Sequence, residues 1–181
     1  MAPSLRYWQG GGEIPPGMRP ASNAHIDCGW GRLIFAHTYD SPEALAKELG
    51  KEARGRRDVA FYARDPQVAV AGAPQDVFLD PSHAYRLWLD QYRAPRHRGF
   101  VVRRVRPSRD AAQINRIYRK WRMVPVQKEY LKSIATSKTI TVLVAENTES
   151  EQIAGVVFGV DHVHAMNDPE NGCSLWALAV D

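Results

Sequence analysis

His162 and His164 lie two apart in a segment read as a strand, so the alternation of side chains puts both imidazoles on one face. Imidazoles so placed suit a general base or a proton relay near neutral pH. A metal pair is the second chemistry, and plain exposed histidines at a sheet end are the third reading. Two histidines without carboxylate or thiolate ligands at metal spacing make a poor ligand set, so no metal is assigned. Glu146 and Asp161 are the other titratable residues on expected strands, and Glu146 joins the two histidines as a candidate proton acceptor. No Ser/His/Asp or Cys/His set has a spacing that argues for hydrolysis. Cys28 and Cys173 are far apart and read as two free thiols of a reducing, cytoplasmic setting.

Eleven bases fall between Arg93 and Arg122. Their density invites phosphate contacts, yet they occupy a linker, alternate positions of a strand and the polar face of a helix, where solvated bases normally sit. No glycine-and-paired-aromatic signature of RNA binding accompanies them. The net charge of +4 suits an anionic ligand without choosing one. At 181 residues, with 44% hydrophobic and 24% charged residues, the chain has the composition of one globular domain or two small ones. No apolar run is long enough to cross a bilayer, and no secretory signal is read at the N-terminus.

Behind these residues stand the elements that must position them. Residues 1–30 are rich in glycine and proline and read as an irregular lead-in. Residues 31–95 read as a small α/β unit. In it Leu33–Tyr39 is a strand, and Ser41-Pro42-Glu43 starts a helix ending near Gly55. Val59–Ala63 and Val68–Ala71 are two short strands around Asp65-Pro66. Asp80-Pro81 opens another helix, with Ala84, Leu87, Trp88 and Gln91 on one face. A linker covers Arg93–Gly99.

The second unit, 99–181, begins with a strand at Phe100–Arg106. A helix follows whose apolar face is Ile114, Ile117, Tyr118 and Trp121. After Pro125 comes a second stripe at Val126, Tyr130 and Ile134. Thr139–Glu146 and Ile153–Val163 form a hairpin, and Leu175–Val180 is a last, apolar strand. The fold class expected is α/β of the α+β kind, with a mixed, mostly antiparallel sheet.

The order β–α–α–β–β–β, closed by LWALAVD, resembles the first half of the GNAT acetyltransferase fold. The segments DVAFYARDPQVAVA, FLDPSHAYRLWL and HVHAMNDPENGCSLWALAVD further resemble the N-terminal region of the N-acetylglutaminylglutamine synthetases. That bacterial family carries a GNAT domain ahead of an ATP-grasp ligase domain and makes a compatible-solute dipeptide used in osmoprotection.

The resemblance implies acetyl-CoA as co-substrate and the α-amine of glutamine or a glutamine dipeptide as acceptor. In the GNAT fold a Gly-rich turn and a helix after the last strand hold the CoA pyrophosphate. That turn is not reached by Asp181, so the chain is expected to be the front part of a longer enzyme and inactive in isolation. The backbone of Leu178, Ala179 and Val180 takes the place of the strand that holds the pantetheine arm and the thioester carbonyl. Trp121, Arg122 and Met123 correspond to the acceptor loop, with Arg122 available to pair a carboxylate and Trp121 completing its helix stripe as core. The competing expectations are a non-catalytic basic α/β module for nucleic acid or a protein partner, and a GNAT enzyme with another amine acceptor.

Overall fold

Residues 20–82, 85, 87–93 and 99–181 are described by a computed structural model. They form an α+β protein with five α-helices and seven strands in two sheets. Strands β1 (His25–Asp27), β2 (Arg32–Phe35) and β3 (Val59–Phe61) make the first sheet, β1 antiparallel and β3 parallel to β2. A parallel step needs a crossover, supplied here by a short 3-10 turn at Ala36–Thr38 and helix α1 (Pro42–Leu49). Ser41 caps α1 by accepting the Ala44 N–H at 3.2 Å, with Pro42 at the first helical position. The helix closes at Gly50, some five residues before the expected end.

Two expected elements take other forms. Val68–Ala71 is not a strand: Pro66–Gly72 is helix α2, started by Asp65 and Pro66 and packed on α1 through Ala69. A four-residue apolar run has no period of its own, and Pro66 at a helix start decides the matter. The helix expected after Asp80-Pro81 is absent among the described residues of that segment. Leu87, Trp88 and Leu89 are exposed there, and a short apolar run left at the surface gains too little from burial to hold a helix. Ala84 lies outside the described residues.

The second sheet is an antiparallel meander, β4 (Phe100–Arg104), β5 (Ile140–Asn147), β6 (Ile153–Asp161) and β7 (Cys173–Val180), in that spatial order. Helices α3 (Pro107–Lys120) and α4 (Lys128–Ser133) lie between β4 and β5. The expected stripe of α3 is buried at Ile114, Ile117 and Tyr118, while α4 turns Leu131 inward. Strand β6 ends at Asp161, two residues earlier than expected, because the Asp161 carboxylate accepts the His164 N–H at 2.9 Å and starts a short helix α5 (His162–Met166).

One apolar core joins the two sheets: Leu33 and Phe35 of β2 share it with Ile114 and Tyr118 of α3 and Val142, Val144 and Phe158 of the meander. The opposite face of the meander carries the cross-strand row Val102, Ala145, Gly155 and Val180. That face is open, with Val102, Leu175, Leu178 and Val180 all exposed. No helix among the described residues is long and apolar enough to cross a membrane.

Candidate functional site

Strand β7 and the end of α3 meet at one end of the meander. Leu178 and Ala177 together oppose Val157, a bulge with Ala177 at φ +48°. Beyond it Asp181 N donates to Ala154 O at 2.8 Å, so the alternation of an antiparallel ladder turns the backbone of Ala179 toward β6 and that of Leu178 and Val180 outward. Of these outward groups the Val180 carbonyl is taken: the Trp121 indole donates to it at 2.6 Å. Tyr118 likewise donates its hydroxyl to Ala177 O at 3.0 Å. Trp121 is therefore no core residue. It is 57% exposed at the C-cap of α3, since the helix ends there and the next residue, Arg122, has φ +56°.

Met123 is half-buried against the core, and its N–H returns to Tyr118 O at 2.8 Å. Asn115 then brackets Val126, giving and receiving a hydrogen bond of 2.8 Å at each backbone group. Trp121, Arg122, Leu178 and Val180 thus belong to one neighbourhood, held by α3.

The two histidines belong elsewhere, beyond the opposite end of the β6 strand from Ile153. They do not share a strand face, because α5 has replaced the strand: His162 is 1% exposed, and His164 is exposed beside Asp161 with Nδ1 3.1 Å from its carboxylate. Glu146 pairs with Ile153 at the far end of the hairpin from Asp161. Its carboxylate is engaged by Arg103 and lies 3.5 Å from Arg109. The Arg103 hydrogen bond holds the Glu146 carboxyl below its ordinary value, and the three proposed proton acceptors do not converge on one point.

His162 instead has partners that spacing alone did not reveal. Its Nε2 is 2.8 Å from Ser174 Oγ, and the Trp176 indole donates to the same oxygen at 2.6 Å. Burial lowers the His162 pKa against the pull of Asp168 and Asp161, so the ring is neutral at pH 7. An indole N–H only donates, so Ser174 Oγ accepts from Trp176, and its own proton can turn to Nε2 when that nitrogen is unprotonated. Nδ1 faces Asp168 Oδ2 at 3.8 Å and has no hydrogen-bond partner. Asp168 is itself fixed by the N–H groups of Glu170 at 3.1 Å and Gly172 at 2.9 Å. The turn from Asn167 to Gly172 returns the chain beside His162, which is why the three residues meet.

The rings of Phe35 and Phe61 wall this group at 5.3 and 6.2 Å from the imidazole, and Trp176 meets Phe61 edge to face at 4.7 Å. His37 is close by, its pKa lowered to about 4 by burial, and its Nδ1 also has no partner. Next to it Tyr62 holds φ +59°, a left-handed conformation that bulky residues rarely adopt. Among the described residues no group of three potential ligands is placed to hold a metal ion.

Four of the eleven bases of the basic run are paired with carboxylates. Arg103 is bound by Asp110 and Glu146, Arg109 by Glu151 at 3.0 Å, and Arg116 and Lys120 by Asp181 at 2.6 and 3.1 Å. Arg103 departs from the expected solvated face because its strand position points at α3, where Asp110 is fully buried. Arg96 and Arg98 lie outside the described residues. Compared with family models, curated proteins and solved structures, the chain matches none.

Proposed function

We propose that residues 99–181 form the first half of an acetyl-CoA-dependent N-acetyltransferase of the GNAT type, with the α-amine of glutamine or a glutamine dipeptide as acceptor. The observation that carries the reading is the meander β4-β5-β6-β7 with α3 and α4 inserted after its first strand, closed by a bulged edge strand with outward backbone groups at Leu178. The open apolar face supports it too. A sheet with one bare apolar face calls for a further layer, and the helix that follows this strand in the GNAT fold would have that face to cover.

In this reading the Leu178 backbone receives the pantetheine arm and thioester, and the loop Trp121–Met123 receives the acceptor, with Arg122 on its carboxylate. The neutral amine attacks the thioester carbonyl, the C–S bond breaks, and the amine's surplus proton ends on the departing CoA thiol. Two free thiols, Cys28 and Cys173, fit a cytoplasmic setting. An ATP-grasp ligase domain after the acetyltransferase unit is the partner the family likeness supplies. The carboxylates on Arg103, Arg109, Arg116 and Lys120 make the nucleic-acid alternative the weaker one.

The test is acetyl-CoA with glutamine or glutaminylglutamine and the protein of the complete reading frame, read by mass spectrometry. An N-acetylated product is expected. If neither amine is acetylated, the acceptor assignment is lost; if acetyl-CoA also fails to bind, the whole reading goes with it.

A further inference from the structure

We propose that Ser174 is an acyl-accepting nucleophile, with His162 as its base and Asp168 as the residue that orients that base. The chemical class it takes is a small acyl group carried on an activated ester or thioester. The inference goes beyond acetyl transfer to an amine and needs none of the groups assigned to it.

Four independent observations meet here. The first is geometry: Oγ of Ser174 lies 2.8 Å from His162 Nε2, within reach for proton transfer. The second is a fixed donor on the same oxygen: the Trp176 indole donates to Oγ at 2.6 Å, which leaves the hydroxyl's own proton able to turn to His162 Nε2. The third is the orphaned Nδ1 of a side chain only 1% exposed, pointing at a carboxylate 3.8 Å away. A shortening of that gap when the ring becomes charged would supply the hydrogen bond it lacks; such contacts tighten in reacting complexes. The fourth is access: Ser174 is only partly buried, on the face of β7 that it shares with Trp176.

The step balances with these groups alone. Ser174 Oγ attacks the acyl carbonyl while His162 Nε2 takes its proton. The new O–C bond replaces the bond to the leaving alcohol or thiol, which departs with the proton from His162. Water then regenerates Ser174 and releases the acid by the same proton exchange, or another nucleophile takes the acyl group.

The experiment uses the full chain and p-nitrophenyl acetate, with release of p-nitrophenol followed in time and the acetyl group located by peptide mass spectrometry. A burst of one p-nitrophenol per chain, with the acetyl group on Ser174, is expected. Ser174→Ala, which removes only the hydroxyl, should abolish the burst, and His162→Gln should slow it by about 10²–10⁴-fold. Asp168→Asn tests positioning, because a merely structural role would not move the pH profile. The groups facing the ring are Asp168, Asp161 and His37. Removing the Asp168 charge should shift the acid limb of the burst to lower pH. Acetyl found on Cys173 or Lys138 with none on Ser174, or an unchanged burst in Ser174→Ala, overturns the proposal. Should His162→Gln fail to fold, Ser174→Ala decides alone, since its thermal transition can be compared directly with that of the parent.

Discussion

Asp110 has no exposed surface, and Arg103 reaches its two oxygens at 2.7 and 3.0 Å while the Arg106 N–H adds a third bond at 2.7 Å. Burial works to raise the Asp110 carboxyl, and these donors outweigh it, holding the group below its ordinary value. Asp110→Ala should therefore cost about 3–5 kcal/mol, because it leaves Arg103 mostly buried with one carboxylate fewer; chemical denaturation reads the loss. The buried imidazoles act in a different pH window. His37 titrates near 4 and His162 is also lowered from 6.5, both chiefly by burial. The folded state then binds fewer protons than the unfolded chain, so their contribution is complete above about pH 6.5 and falls as the pH drops toward 4. Stability measured by denaturant at pH 7, 6, 5 and 4.5 should decline over that span, and His37→Phe should flatten the slope.

At the scale of elements, Gly31 shows what holds the first sheet in place. A methyl group there would sit on the Arg57 carbonyl, a backbone atom that cannot swing aside as a flexible side chain can. Gly31→Ala is expected to cost about 3–5 kcal/mol, visible as a lowered thermal midpoint. Some elements could be read from residue order alone. Ser41-Pro42 announces α1 because cap and proline act locally, and the β-branched run of β5 with its polar turn announces the hairpin. Val68–Ala71 was ambiguous because four apolar residues fit either period, and the end of β6 turned on the Asp161 side chain capping a helix rather than pointing off a strand. Of the candidate site, the expectation that set the Trp121 loop and the end of β7 in one site came from the resemblance to the GNAT fold. The Ser174–His162–Asp168 line did not, because it depends on how the turn through Asn167 and Asn171, both in left-handed conformation, returns the chain upon itself.

For the molecule as a whole, the open face of the meander is an apolar surface of the kind that draws partners or copies of itself. Val102 and Leu175 are 55% and 67% exposed on it. The chain by itself should associate as its concentration rises. The double variant Val102→Lys with Leu175→Lys should lower that association, seen by sedimentation velocity, with stability changed by no more than about 1 kcal/mol. The core described above runs through both sheets, with β2 from one segment and α3 and β5–β7 from the other. A protein so built does not depend on the peptide connection between α2 and β4 to keep its two segments together. A protease cut between Gly72 and Phe100 is expected to yield two fragments that travel as one particle, and the two pieces made as separate polypeptides should find each other and reconstitute the fold.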